Sequence, residues 1–187
     1  NNNGNVDDTQ GTSKSKLYTA GIVSCASFAV DIEGCYNRGA ISGVKNVGGI
    51  VGNVMKGDEA ATVIKNCRND GSVSGQDMYV AGIVANSARK EGVVSVVSCT
   101  NNGEVTSTGT TEFIGNLRGN TTIALGEGNI IGAGLKALPL DPATETGIDN
   151  TNVNTGNTTN GVFLRNGQIV IVKNNKKYTI SGIEIAE

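Results

Sequence analysis

Short apolar runs recur along the first two thirds of the chain, and most of them alternate with a period of two residues. The clearest set reads Val30-Asp-Ile-Glu33, Thr62-Val-Ile-Lys65 and Val94-Ser-Val-Val97. Alternation of this kind is typical of half-buried β-strands. We therefore predict one strand at each of these three places.

Two further sets of short runs recur three times over the same part of the chain. Runs of small residues read Ala20-Gly-Ile-Val23, Gly48-Gly-Ile-Val51 and Ala81-Gly-Ile-Val84, and we predict a single strand in each. A last set reads Ala40-Ile-Ser42, Ser72-Val-Ser74 and Glu104-Val-Thr106. Because these runs are rich in small and β-branched residues, they favour strands packed in narrow, regular layers.

Between the second and third strands, the apolar positions change parity. Val30 and Ile32 are even-numbered, whereas the apolar face then continues through the odd-numbered Cys35 and Ile41. A shift of one residue indicates a bulge or a corner. We place this corner at Gly34, Asn66 and Ser98. We also expect Gly39, Gly71 and Gly103 to adopt positive φ, because each follows an Asn in a predicted tight turn.

The runs belong to an internal repeat. The phrase Cys-x-Asn-x-Gly begins at Cys35, Cys67 and Cys99, which are 32 residues apart. A fixed period of this size is the signature of stacked repeats, each of which buries its apolar face only against its neighbours. The sequence therefore predicts an all-β fold, a short right-handed parallel β-solenoid of about three 32-residue repeats. An antiparallel sandwich is the alternative, since regularly spaced short strands also fit that class.

Charged residues at outward positions support the same register. A shift of 32 residues places Glu33 over Lys65, Arg38 over Asp70, and Tyr36 over Arg68. Opposite charges and cation–π contacts are favourable between neighbouring strands. We expect two ion pairs and one cation–π contact between the first two repeats.

The chain divides into four segments. Residues 1–16 are polar and predicted to be a linker or N-terminal cap, and residues 17–123 hold the solenoid repeats. A fourth copy begins at Phe113 and fades. Residues 124–160 are predicted to be a cap or last incomplete coil followed by a polar linker. Residues 161–187 are predicted to form a small C-terminal β meander, because Asn166-Gly167 between apolar runs is a strong hairpin signal.

The four cysteines admit two disulfides, a zinc site or free thiols. Cys35, Cys67 and Cys99 share one repeat position, and three stacked residues do not pair evenly. Zinc requires short Cys-x-x-Cys spacing or His partners, and the chain has no His. We therefore predict a column of free, buried thiols, and we make no prediction for Cys25.

Composition removes several function classes. The net charge is −2 and there is no basic tract, so nucleic-acid binding has no support. No apolar run is long enough to predict a membrane span. The 27 glycines and the many asparagines suit tight turns. Because the sequence begins Asn1-Asn-Asn-Gly4 rather than with Met, we expect a processed chain or a piece of a longer one.

Catalytic chemistry is also poorly supported. Without His the chain lacks a Ser-His-Asp or Cys-His device. The carboxylate pairs Asp31/Glu33, Asp58/Glu59 and Asp70/Asp77 are predicted to be solvated surface charge. Calcium binding at Asp58-Glu59 is the competing interpretation, although such a site needs six or more oxygen ligands. We predict no enzyme activity and assign no catalytic, cofactor-binding or metal-binding residue.

Two resemblances follow from these motifs. The phrase Gly48-Gly-Ile-Val-Gly52, together with Cys-x-Asn-x-Gly, resembles the GLUG-type repeats of bacterial surface and secreted proteins, over roughly residues 17–123. The segment 160–178 looks like C-terminal segments of secreted Bacteroidetes proteins. Together they imply an extracytoplasmic protein, at the cell surface or secreted.

These observations predict a non-catalytic module for adhesion, binding or structural display, with glycans or host and cell-surface proteins as partners. The variable segments 55–61 and 87–92 are the predicted binding loops, because loops on rigid scaffolds commonly carry function. The alternatives are a β-solenoid carbohydrate-active enzyme or its accessory glycan-binding module, and a surface spacer without a ligand.

Overall fold

The computed structural model describes residues 1–10, 17–57, 60–109, 113–133 and 135, and four strands between residues 160 and 185. All regular elements in these ranges are β-strands apart from one residue in a 3-10 turn. The chain forms two compact units, Asn1–Ala143 and Thr144–Glu187.

Among the described residues, the first unit contains nineteen short strands. An initial strand precedes four successive coils of the chain. The strands of the initial segment and first coil are β1 (Val6–Asp8), β2 (Thr19–Ala20), β3 (Val23–Ala26), β4 (Asp31–Glu33), β5 (Tyr36–Asn37) and β6 (Ile41–Gly43). Those of the second coil are β7 (Val47–Gly48), β8 (Val51–Val54), β9 (Thr62–Lys65), β10 (Arg68–Asn69) and β11 (Val73–Gly75). Those of the third and fourth coils are β12 (Val80–Ala81), β13 (Val84–Ser87), β14 (Val94–Val97), β15 (Thr100–Asn101), β16 (Val105–Ser107), β17 (Ile114–Gly115), β18 (Ile123–Leu125) and β19 (Ile130–Ile131).

Equivalent strands of successive coils pair in parallel, so the first unit is a β-solenoid of about four turns. Its five sheets are sheet A (β5, β10, β15, β19), sheet B (β1, β6, β11, β16), sheet C (β2, β7, β12, β17), sheet D (β3, β8, β13) and sheet E (β4, β9, β14, β18). The predicted 32-residue register holds in sheets A, B and E, where Asn37 pairs with Asn69 and Asn69 with Asn101. The predicted parallel solenoid is confirmed, and the antiparallel sandwich is wrong.

The stack extends on both sides of residues 17–123. At one end, β1 pairs with β6, with Val6 opposite Ile41. At the other end, β18 pairs with β14, and β19 pairs with β15. Segments on both sides of the repeat region therefore cover edges of the repeated coils with further parallel strands.

The runs 20–23, 48–51 and 81–84, which we call the Gly-Ile phrases, are corners of the coils. This corrects the prediction of one continuous strand at each. In the second coil β7 ends at Gly48 and β8 begins at Val51. A Cβ atom on Gly49 would lie 2.1 Å from the carbonyl oxygen of Gly82 and 2.5 Å from Cγ of Asn69. The phrase needs glycine because the corner brings the backbone against the next coil and the opposite wall.

The predicted corners before the cysteines are confirmed. Gly34, Asn66 and Ser98 have φ of 64°, 53° and 50°, the left-handed conformation that reverses side-chain parity. The expectation of positive φ at Gly39, Gly71 and Gly103 is wrong. These residues are glycines for steric reasons, because a Cβ on Gly71 would lie 2.0 Å from the carbonyl oxygen of Gly39.

The interior of the solenoid holds two apolar clusters with small and β-branched side chains. The larger is centred on Ile50, Ile64, Ile83, Val96 and Leu117, and the smaller consists of Ile41, Val47, Val73, Val80, Val105 and Ile114. All but Val105 and Ile114 of these residues are at most 1% exposed. These two clusters stabilise the stack of coils by removing apolar surface from water.

The second unit is an antiparallel meander. Its strands are β20 (Asn160–Arg165), β21 (Gln168–Lys173), β22 (Lys176–Thr179) and β23 (Glu184–Ile185), paired in chain order. Arg165 lies opposite Gln168, as the hairpin prediction requires. The meander is confirmed, whereas the connecting residues 166–167, 174–175 and 180–183 lie outside the described residues.

Candidate functional site

A ladder of asparagine side chains runs through the first unit, and sequence reasoning missed it. The amide nitrogen of Asn2 donates to the amide oxygen of Asn37 at 2.7 Å. Asn37 donates to Asn69 at 2.7 Å, and Asn69 donates to Asn101 at 2.8 Å. Asn37, Asn69 and Asn101 are fully buried. The sequence contains one signal for this ladder: the Asn of the repeated Cys-x-Asn-x-Gly phrase has the same parity as the apolar residues that face the interior.

Each rung also satisfies the backbone of its own turn. The amide nitrogens of Asn37, Asn69 and Asn101 donate to the carbonyl oxygen two residues later, at 2.9, 2.8 and 2.9 Å. Buried amides are costly unless they are hydrogen-bonded. Because each rung aligns with the equivalent residue of the next coil, the ladder specifies the register of the stack.

The ladder lies between the two apolar clusters. On one wall Asn69 falls between Cys67 of the larger cluster and Val73 of the smaller one, and on the other wall Gly49 falls between Val47 and Ile50. A Cβ placed on Gly49 would lie 2.5 Å from Cγ of Asn69, so these walls meet at this point. The Gly-Ile phrase and the Cys-x-Asn-x-Gly phrase of one coil are therefore complementary.

The three repeated cysteines form the predicted column of free thiols. Cys67 and Cys99 are buried, Cys35 is half-buried, and all four cysteines of the chain are free. The thiol of Cys67 donates to the carbonyl oxygen of Lys65 at 3.2 Å. Contact with Cys99 and burial raise the pKa of Cys67, and burial raises the pKa of Cys35. Cys35 and Cys67 are therefore poor nucleophiles, whereas the hydrogen bond with Cys67 lowers the pKa of Cys99.

The outer face of sheet A carries a group of polar side chains that interact with one another. Tyr36, Arg68, Thr100 and Ile130 occupy equivalent positions on successive coils. Beside this row lie the residues that follow the ladder asparagines, including Arg38, Asp70 and Asn102. We call the following group the arginine–tyrosine patch: Asn3, Tyr36, Arg38, Arg68, Asp70 and Asn102.

Asp70 is the centre of the patch and links three coils. Its carboxylate accepts hydrogen bonds from Arg68 Nε at 2.8 Å, from Asn102 Nδ2 at 2.7 Å, and from the Tyr36 hydroxyl. Partial burial acts to raise the pKa of Asp70, but these hydrogen bonds outweigh it and lower the pKa to about 2. Asp70 is therefore ionised over the whole physiological range.

Arg38 does not form the ion pair that the sequence predicts with Asp70. Asp70 instead pairs with Arg68 of its own coil. The Arg38 guanidinium lies 4.1 Å from the ring centroid of Tyr36, and its Nη1 donates to Asn3 Oδ1 at 3.2 Å. The predicted contact between Arg68 and Tyr36 is confirmed at 5.3 Å. Tyr36 thus contacts two guanidinium groups.

The carboxylates considered for catalysis have other surroundings. Glu33 forms the predicted ion pair with Lys65 at 3.1 Å and also accepts from Asn66. Asp31 shares the exposed face of β4 with Glu33. Asp77 accepts a hydrogen bond from the backbone of the next residue. Asp58 and Glu59 lie outside the described residues, and in the rest no three His, Cys, Asp or Glu residues are grouped as metal ligands.

The predicted binding loops differ from each other. Residues 55–57 are exposed. In the other segment, Ser87 and Arg89 are buried, and Arg89 Nη1 donates to the carbonyl oxygen of Ala60 at 2.8 Å. Arg89 therefore ties the two loops together, which the polar composition of segment 87–92 did not indicate.

Comparison of the chain with known protein families, with curated proteins and with solved structures finds no match to any of them. Across the described ranges, no helix has the length and hydropathy that a membrane crossing requires.

Proposed function

We propose that the chain is a non-catalytic binding and display module that acts outside the cytoplasm, at the cell surface or after secretion. Glycans, or the surfaces of other proteins, are its proposed partners. The observation that carries the proposal is the contrast between inward and outward positions of the same coil.

Inward positions repeat while outward positions vary. In sheet A the inward residue is Asn in the first three coils, whereas the outward residue changes from Tyr36 to Arg68 to Thr100. The thiol column is equally regular. A scaffold with a constant interior and varied outer side chains is suited to presenting a surface.

The absence of His and the raised pKa of the Cys35 and Cys67 thiols support a non-catalytic role. The carboxylate of Glu33 is neutralised by Lys65, and that of Asp70 is neutralised by Arg68. The lowered pKa of Asp70 is the opposite of the raised pKa that a general acid for glycoside hydrolysis needs. The proposed extracytoplasmic location rests on the resemblance of the repeats and of the tail.

A glycan array combined with a reducing-sugar assay tests this function. We expect the purified chain to bind at least one class of immobilised glycan and to release no reducing ends from soluble polysaccharides. Failure to bind any glycan would refute carbohydrate binding. Turnover of a polysaccharide that Asp31→Asn or Glu33→Gln abolishes would show that the chain is an enzyme.

A further inference from the structure

We propose that the arginine–tyrosine patch binds the anionic group of an acidic polysaccharide, with Arg38 as the residue that contacts that group. This inference rests on the proposed function, because it names the ligand class of a glycan-binding surface. The inference depends on the guanidinium of Arg38, which is held by the neutral side chains of Asn3 and Tyr36. Among the described residues, no carboxylate neutralises it.

The contacts of Arg38 leave one edge of its guanidinium open. Nη1 donates to Asn3, and the plane of the group lies against Tyr36. Among the described residues, Nε and Nη2 make no hydrogen bond and no carboxylate forms an ion pair with Arg38. These two nitrogens form the edge with which arginine binds a carboxylate or sulfate in two parallel hydrogen bonds.

The patch also holds Arg38 in position before a ligand arrives. The ring of Tyr36 is anchored through its hydroxyl to Asp70, which Arg68 and Asn102 hold from their own positions. Stacking on a fixed ring and bonding to Asn3 restrict the guanidinium. A restricted donor loses less conformational entropy on binding.

The two arginines of the patch have different states. Arg68 uses its Nε for Asp70, so its charge is compensated within the patch. Arg38, Arg68 and Asp70 together carry one positive charge, which belongs effectively to Arg38. Since the whole chain has a net charge of −2, attraction of a polyanion is expected at this patch and not over the entire surface.

The surroundings favour a carbohydrate over an apolar partner. Asn3 and Asn102 are exposed amides, and Thr100 adds a half-buried hydroxyl on the third coil. Amides and hydroxyls suit sugar hydroxyl groups as donors and acceptors. The coils repeat at about 4.8 Å, so these groups form a regular row along which an extended chain can lie.

The test uses the full chain and three soluble probes at about 0.15 M ionic strength: sodium polygalacturonate, dextran sulfate and neutral dextran. We expect binding to at least one of the two acidic probes and none to neutral dextran. Preference for polygalacturonate would identify a carboxylate ligand, and preference for dextran sulfate would identify a sulfate ligand.

The decisive variant is Arg38→Gln, with Lys45→Gln as the matched control, because Lys45 is a partly exposed cation that lies beside Tyr79, outside the patch and outside both predicted binding loops. We expect Arg38→Gln to raise the Kd for the acidic probe roughly tenfold or more, and Lys45→Gln to leave it unchanged. Arg38→Lys keeps the positive charge but lacks the two parallel donors of the guanidinium, so it should bind with intermediate affinity. Melting curves establish that the variants fold.

The outcomes separate this inference from the proposed function. If the chain binds neutral glycans only, or if Arg38→Gln binds the acidic probe as tightly as wild type, the patch is not the anionic site but glycan binding stands. Equal losses in Arg38→Gln and Lys45→Gln would show a diffuse charge effect and overturn the inference. Binding to phosphatidylserine vesicles in place of polysaccharides would overturn it too. If the chain binds no carbohydrate at all, this inference falls together with the glycan-binding part of the proposed function.

Discussion

At the scale of single residues, Asn69 holds the middle position of the asparagine ladder. Its side chain accepts from Asn37 and donates to Asn101 and Gly71. Asn69→Ala removes these bonds and leaves buried neighbours unpaired, so we expect a loss of about 2–4 kcal/mol in the free energy of unfolding. Urea unfolding measures it, with the exposed Asn102→Ala as control. Equal losses in the two variants would contradict the structural role of the ladder.

The glycine of the repeated turn is tested by a steric comparison. Gly71 has no room for a Cβ, whereas Gly92 has a φ of 78° and open space around it. We expect Gly92→Ala to cost about 1 kcal/mol for its backbone conformation. Gly71→Ala should cost more, on the order of 3 kcal/mol, because the coils must separate. A smaller loss for Gly71→Ala in thermal unfolding would count against the close approach of the coils.

Asp70 gives the molecule a defined response to acid. Its pKa is lowered to about 2 in the folded chain, from 3.8, so its contribution is complete above pH 4 and is lost as the pH falls towards 2. We expect roughly 1 kcal/mol after allowing for its partial exposure. Urea unfolding of wild type and Asp70→Asn at pH 7 and near pH 2 measures it: the difference between the two should shrink in acid. A constant difference would exclude this linkage.

At the scale of the elements, the thiol column predicts a graded reactivity. Cys67 and Cys99 are buried in the larger apolar cluster, while Cys35 and Cys25 are partly accessible. We expect a thiol reagent to label Cys25 and Cys35 before Cys67 and Cys99 in the native chain. In denaturant without reductant, all four cysteines should react. A titre two thiols lower would reveal a disulfide and contradict the column.

The repeat period was enough to predict how the strands pair, because residues 32 positions apart occupy equivalent places. It did not predict that Gly49 meets Asn69, since these residues lie on opposite walls of one coil and only the folded cross-section joins them. Hence the Gly-Ile phrase was predicted to be a strand when it is a corner. The period also did not decide the partner of Asp70, because that depends on the reach of competing side chains.

The same distinction applies to the candidate site. Register alone predicted that Tyr36 and Arg68 are neighbours, and it placed Arg38 beside Asp70. Asn3 precedes the repeats, so no internal comparison predicted its hydrogen bond to Arg38. The open guanidinium edge follows from that bond and from the pairing of Asp70 with Arg68. The repeat register does not determine which of several neighbouring side chains forms each hydrogen bond or ion pair.

At the scale of the whole molecule, the ends of a solenoid are its weak points, because unpaired strand edges invite association with other chains. In the first unit, β18 and β19 cover the edges of β14 and β15. Ile123 of β18 is fully buried in the larger cluster. The fourth coil therefore acts as a cover for the third.

Two truncations test this cover. A chain that ends at Ala143 keeps the whole first unit, and we expect it to fold cooperatively and remain monomeric. A chain that ends at Thr122 loses β18 and β19, which exposes the edges of two sheets and part of the larger apolar cluster. We expect this shorter chain to aggregate or to unfold at lower urea concentration, as measured by light scattering and urea titration. If the chain ending at Thr122 were monomeric and as stable as the longer one, the third coil would need no cover, and the stability of the stack would reside in the first three coils alone.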